Sequence, residues 1–318
     1  MRETSVTTAE MVDGTAEAPA AAAAVPLAEA VEEAWFDEYG PSEYPDFLYV
    51  PTGEARWIDG FEAFDADPAR HVAFFREHGY LAIHNAFTSG EIGAALEGLL
   101  DLIDGKSPEF SATKGIQFEA TARDLLPTLP REQKQDYVRK LNRYAEFDPR
   151  LKAMAVHPRL LAVVRAFIGE EPALFADQAM LKPPLIGREK PWHQDHAFFN
   201  VPLGTQIVGC WIALDEALPE NGCMHVIPGG HRQPIVHFKR RDWQICDTDV
   251  DTAGVVAVPL PPGGVLFFDG LLPHGTPATR SPRRRRALQL HYIPASVGRI
   301  ATEDRMAIFG SEGKDVTC

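Results

Sequence analysis

From residue 173 onward the chain becomes a series of short β-type runs: ALFADQAML (173–181), PWHQDHAFF (191–199), QIVGCWIAL (206–214), CMHVIP (223–228), VVAVPL (255–260), GVLFFDG (264–270) and RALQLHYIP (286–294). Pro and Gly separate these runs from one another, and many short strands at such spacing predict an antiparallel barrel or sandwich. The chain before them has a different texture. AFFREHGYLAIHNAFTSGEIGAALEGLLDLID (73–104) predicts a short helix stopped by Gly79, a strand over Tyr80–His84, and a helix capped by Ser89. That last helix presents Ile92, Leu96, Leu99, Leu100 and Ile103 at helical spacing. A second helix is predicted over 130–145 and a third over 158–168, where Pro158 suits an early helical position. Helices come first and an all-β core second, so the fold class is α+β.

The boundaries follow from composition. Residues 1–30 read as a disordered tail, and 31–318 as one domain. Within it, helical and wrapping elements occupy about 31–170, the β core about 173–295, and a C-terminal extension 296–318. Trp35, Tyr39, Tyr44, Phe47, Tyr49 and Trp57 stand among turn formers over 31–66, as expected of a segment wrapped over a larger body. The net charge of −14 and a pI near 5.2 argue against a nucleic-acid or anionic-membrane partner. Four scattered cysteines without a CxxC pair read as reduced residues of a cytoplasmic protein. No run approaches the roughly 18 apolar residues of a membrane span. The alanine tract at 20–24 lacks the basic flank of a signal peptide. A soluble monomer or homodimer acting on a small molecule is the expectation.

In WHQDHAFF, strand alternation puts His193 and Asp195 on one face and Gln194 and His196 on the other. In a helix the first two would diverge by roughly 200° and could not share an ion. A third ligand candidate, His274, comes after the turn Pro261–Gly264 and the strand Val265–Phe268. Two imidazoles and one carboxylate occupy one face of an octahedral ion and leave the other positions open, which suits non-haem Fe(II). Structural zinc instead closes its shell with four protein ligands. An HxD pair alone is a weak signal, and specificity comes from the chain beyond His274. Arg285 lies eleven residues further on and heads a strand that places Arg285, Ala287, Gln289 and His291 on one face. A guanidinium inside a barrel needs an anion, because a buried unpaired charge is costly, and a dicarboxylate would satisfy it with a bidentate pair. Arg280, Arg283, Arg284 and Arg286 are expected to be solvated or paired with surface carboxylates.

The segments FREHGYLAIHNAFTSGEI, HPRLLAVVRAFIG, QAMLKPP, WHQD, WIALDEALPENGCMHVIPGGH and PPGGVLFFDGLLPHG, then RALQLHY, stand in order over about residues 72–295. In that order and spacing the chain resembles the phytanoyl-CoA dioxygenase family of Fe(II)- and 2-oxoglutarate-dependent oxygenases. The resemblance implies a double-stranded β-helix (jelly roll, cupin-like) with N-terminal helices packed on its major sheet. It implies Fe(II) on His193, Asp195 and His274, the distal carboxylate of 2-oxoglutarate on Arg285 and Thr276, and O2 as co-reactant. Trp211, Gln178, Lys140 and Gln194 are implied near the same cosubstrate. Asp195 stands where halogenating relatives carry Gly or Ala, which argues against halogenation. The implied reaction is oxidation of an unactivated C–H bond, by default hydroxylation, with release of succinate and CO2; desaturation, cyclisation and epimerisation use the same start. The Ala-, Pro- and Arg-rich composition suggests bacterial secondary metabolism.

Substrate contacts are sought in His196, Phe198, Phe199 and Asn200 after the metal strand, and in Lys114, Gln117 and Glu119 of the connection 111–127. His291, on the Arg285 face, reads either as a hydrogen-bond partner behind the metal ligands or as a satisfied core histidine, the latter preferred. Two other classes compete: a zinc-dependent hydrolase or isomerase, disfavoured by the absence of HExxH, and a non-catalytic jelly-roll binding protein, disfavoured by the intact triad and Arg285.

Overall fold

The computed structural model describes residues 34–40 and 45–310; the expected tail over 1–30, Tyr44 and the end of the C-terminal extension lie outside them. Among the described residues the strands are β1 (Trp35–Phe36), β2 (Gly53–Glu54), β3 (Trp57–Asp59), β4 (Tyr80–His84), β5 (Ile116–Phe118), β6 (Val138–Asn142), β7 (Pro172–Lys182) and β8 (Lys190–His193), followed by β9 (Val208–Ala213), β10 (Met224–Val226), β11 (His237–Lys239), β12 (Trp243–Ile245), β13 (Val256–Val258), β14 (Val265–Asp269), β15 (His274–Thr276) and β16 (Arg285–Pro294). Nine strands form one mixed sheet in the order β1-β5-β6-β7-β16-β9-β14-β4-β3. A second sheet has the order β2-β13-β10-β15-β8, and β11 pairs with β12.

Alternation explains how the layers stack. On β9, β14 and β16 one set of side chains, Cys210, Ile212, Val265, Phe267, Leu288 and Leu290, packs with the helices. The intervening set, Trp211, Ala213, Leu266, Phe268 and Ala287, meets Met224, Val226, Ala257 and Val258 of the second sheet. The large sheet is therefore buried on both faces, which is why its central strands are apolar almost throughout. Each large side chain so buried stabilises the fold by roughly 1.5–3 kcal/mol.

The helix Pro158–Ile168 begins at Pro158, as expected, and stops at Gly169, where φ is 86°. Gly79, at φ 79°, ends the helix Pro68–His78. The helix Ser89–Ile103 is capped one residue earlier than expected. Thr88 Oγ1 accepts from the Glu91 amide and the Glu91 carboxylate accepts from the Thr88 amide, a reciprocal capping box.

The helix expected over 130–145 is absent: Arg131–Tyr137 is a run of 3-10 turns and Val138–Asn142 is β6. Val138, Leu141, Tyr144 and Ala145 are all buried and recur at helix-like spacing. The left-handed turn at Arg143, φ 55°, resets the chain direction so that a strand and a loop bury what a helix face would have. Residues 111–127 likewise contain β5, which extends the sheet rather than looping free. Cys210 and Cys223 are free and buried. Cys246 is disulfide-bonded, which corrects the reading of all four as thiols. Among the described residues no helix is long and apolar enough to cross a membrane.

Candidate metal centre

Strand register brings the metal candidates together. β8 and β15 pair so that His193 lies directly opposite His274, and their rings stand 4.2 Å apart. β8 ends at His193, so Asp195 is not on the strand as expected but opens a 3-10 turn, Asp195–Phe198. Gln194 between them keeps extended backbone angles, φ −112° and ψ 129°, and so preserves the alternation that turns both ligands the same way. Donor atoms of His193, Asp195 and His274 all lie within 4.8 Å of one another, and all three residues are buried.

The hydrogen bonds decide which atoms are available. Nδ1 of His193 donates to the Pro191 carbonyl at 2.8 Å, and Nδ1 of His274 to the Leu272 carbonyl at 2.9 Å. A carbonyl only accepts, so in the neutral form of each ring the proton sits on Nδ1 and Nε2 carries the lone pair. Those Nε2 atoms lie 3.3 and 3.5 Å from Asp195 Oδ1. The other carboxylate oxygen, Oδ2, is held by His291 Nε2 at 2.7 Å and Gln289 Nε2 at 3.2 Å. Burial, and then the neighbouring His274, push the His193 pKa down to about 4. Burial also pushes the Asp195 carboxyl up, but the rings of His274 and His291 outweigh it and hold the acid well below its ordinary range. Neutral imidazoles and an ionised carboxylate are the protonation states in which these groups bind a metal, so the donor set fits a divalent cation.

The cluster opens into a cavity of about 320 Å³. Arg285, Thr276, Trp211, Gln178, Lys140, Gln117, Phe198 and Phe199 also line it, so the structure brings these candidates to one place. Gln178, Gln289 and Trp211 are paired across β7, β16 and β9 and form one inward row. Arg285 is 3% exposed, and burial pushes its pKa down to about 10. Nη1 donates to the Met180 carbonyl at 2.9 Å, Nε has no partner, and the guanidinium lies 5.3 Å from the Trp211 ring centroid. Among the described residues no carboxylate pairs with it. Its neighbours in the run are paired outside: Arg283 with Glu216, Arg284 with Asp136 and Arg286 with Asp215.

Several candidates are not in the cavity. Gln194 turns the other way: its amide donates to the Gln233 and Leu271 carbonyls and its oxygen accepts from the Ile235 amide. The same alternation that aims its neighbours inward aims it out. His196 is buried with its ring stacked on Phe309, and Asn200 is bonded to Thr302 and Arg305, so both tie the metal turn to the C-terminal helix Thr302–Phe309. Lys114 is exposed on a left-handed turn. Glu119 is buried behind the wall, 3.6 Å from Arg139, with its carboxyl pushed up by burial. Sequence reading missed Trp35, Tyr39, Lys190 and Asp242, which also line the cavity. Of the two sequence readings of His291, the bond to Asp195 favours the hydrogen-bond partner over the preferred core histidine.

The family profile of phytanoyl-CoA dioxygenases matches residues 75–287. A probable phytanoyl-CoA dioxygenase of Caenorhabditis elegans is 27% identical over 241 residues, 70% of this chain and 74% of that protein. Ectoine dioxygenase of Sphingopyxis alaskensis is 26% identical over 248 residues, 72% of this chain and 76% of the relative. Among solved structures, EvdO2 from Micromonospora carbonacea var. aurantiaca, complexed with 2-oxoglutarate, superposes with a TM-score of 0.56 at 26% identity, over 73% of this chain and 93% of its own. EctD from S. alaskensis in its apoform superposes at 0.60 and 23% identity, over 78% and 83%. With 213 of 318 residues inside the profile (287 − 75 + 1), the match spans well over half of the chain. The chain belongs to the phytanoyl-CoA dioxygenase family of Fe(II)- and 2-oxoglutarate-dependent oxygenases.

Proposed function

We propose that this protein hydroxylates an unactivated C–H bond of a small molecule in bacterial secondary metabolism, on a double-stranded β-helix core. One conjunction carries the reading: the three-donor cluster and a buried guanidinium without a carboxylate share a single cavity. His193, Asp195 and His274 would hold Fe(II). Iron so bound couples conversion of 2-oxoglutarate and O2 to succinate and CO2 with transfer of one oxygen atom to the substrate.

The chain's own residues bind and orient. Arg285 receives the distal carboxylate of 2-oxoglutarate, and Thr276, two residues beyond His274 on β15, adds a hydroxyl hydrogen bond. Trp211 walls the cosubstrate beneath Arg285, and Gln178 in the same row limits its length. His291 and Gln289 fix the carboxylate of Asp195 so that Oδ1 faces the histidines.

Anaerobic addition of Fe(II) and 2-oxoglutarate to the apo-protein tests the reading. A weak visible charge-transfer band near ~500–530 nm is expected of a chelate using the open coordination positions. Its loss in His274→Ala supports the assignment, and its absence from well-folded wild-type protein overturns it.

A further inference from the structure

One buried amine has no part in the proposed chemistry. Lys182, at the end of β7, is 3% exposed and lines the cavity, opposite Arg285 in the register of β7 and β16. Its Nζ donates to the Arg188 carbonyl at 2.8 Å and to the Pro277 carbonyl at 2.6 Å. Burial, then Arg285 and Arg139, push its pKa well down against the pull of Glu189 and Glu119. Those two carboxylates are engaged elsewhere, Glu119 with Arg139 and Glu189 with Arg188 and Arg241. An amine donates to carbonyls whether or not it is charged, so both bonds stand in either state. The side chain runs through space that glycines keep clear. A Cβ at Gly187 would lie 2.5 Å from Lys182 Cγ, and one at Gly222 would meet Cδ and Cε.

What the amine joins gives it a role. β8 and β15 pair at His193 and His274, but the register slips before Thr276, which stands opposite Lys190 where an unbroken ladder would place Pro191. Pro191 has no N–H to give to such a ladder. A bulge of this kind re-aims side chains and leaves the pairing disrupted beyond it. Pro277 directly follows Thr276, and Arg188 lies two residues before Lys190. Lys182 therefore bridges the two strands at the point where their own hydrogen bonds give out. Thr276 and Arg285 both line the cavity on this side.

Resting on the oxygenase reading, we propose that Lys182 is a positioning residue of the cosubstrate site: its two bonds hold the strand ends beyond the bulge and so set the Thr276 hydroxyl beside Arg285, where both reach one carboxylate. Lys182 acts through Thr276, and its effect is confined to ligands that carry the distal carboxylate.

The test uses the full-length protein with Fe(II) under anaerobic conditions. The visible band is titrated with 2-oxoglutarate and with 2-oxopentanoate, the same keto acid without the far carboxylate. Lys182→Met is expected to weaken 2-oxoglutarate about tenfold, the worth of one hydrogen bond to a charged group, and to leave 2-oxopentanoate within about twofold. A lysine that only supports the fold would weaken both alike. Thr276→Val is expected to show the same selective loss, and Lys182→Met added to it to cost little more. Equal weakening of the two keto acids, no weakening of either, or losses in the two variants that simply add overturns the proposal. Should Lys182→Met not fold, Gly187→Ala displaces the lysine with its amine intact; the same selective loss is expected, and its absence overturns the proposal. No band with either keto acid in the wild type removes the oxygenase reading and this one with it, whereas a band with equal losses removes only the role of Lys182.

Discussion

Arg285 and His291 share one face of β16 and differ in what stands before them. Arg285 faces an open cavity with no carboxylate beside it, whereas His291 donates to Asp195 Oδ2 at 2.7 Å. Arg285→Ala should therefore raise the 2-oxoglutarate requirement by roughly 100-fold, the scale of losing two charge-assisted hydrogen bonds. Iron content should stay largely intact, and equal loss of both would contradict the division of roles. His291→Phe should do the reverse, weakening Fe(II) retention by about 10–100-fold while the 2-oxoglutarate requirement of the loaded enzyme changes little. Iron titration of the two variants side by side separates these outcomes. Lys140 adds a pH dependence. Burial, then Lys190 and Arg139, lower its pKa to about 8 against the opposing pull of Asp242 and Asp37. A lowered lysine pKa means that the cation is present below about 8 and disappears above it. The 2-oxoglutarate requirement should rise as pH climbs through that value and the cation is lost, and the rise should be missing from Lys140→Gln.

At the scale of elements, the segment around β1 is the least expected part of the site. β1 runs parallel to β5 at the sheet edge, and the residues just after it close one side of the cavity. Asp37 holds this segment down. Its carboxylate takes a bidentate pair from the buried Arg188, with Arg139 at 3.6 Å, and its amide donates to the Phe118 carbonyl at 2.8 Å. Asp37→Asn leaves the buried Arg188 with only the longer contact to Glu189 at 3.4 Å, which should cost roughly 2–3 kcal/mol. Hydrogen exchange is expected to quicken in β1 and β5 well before it does in β9 or β16; uniform exchange across all four would show that Asp37 does not act as a local tie. Strands β5 and β6 were illegible in the sequence for a related reason. Both lie near one end of the large sheet and mix buried with half-buried residues, and the burial of Val138 and Leu141 imitates a helix until Arg143 breaks the register.

At the scale of the molecule, the metal centre joins the second sheet, through β8 and β15, to the large sheet, through His291 and Gln289 of β16. Occupancy should therefore stabilise the whole fold. A divalent cation at about 100 times its Kd should add ~2.7 kcal/mol, or roughly 5 °C in Tm for a domain of this size. Calorimetry with and without the metal is expected to show this shift in wild type and not in His274→Ala. The sequence by itself determined the α+β order of elements, the shared face of His193 and Asp195 and the inward face of β16, because alternation along a strand and turn residues between strands are local properties of the chain. It also disclosed Arg285, since alternation puts it on the same face of its strand as Ala287, Gln289 and His291. Only the tertiary structure decided that Gln194 ties loops together behind the metal, that His291 steadies Asp195, and that Trp35 meets Lys140. Those contacts join residues 39 to 105 positions apart (233 − 194 = 39, 291 − 195 = 96, 140 − 35 = 105), and which strands become neighbours is settled by packing across the sheets rather than by any local pattern.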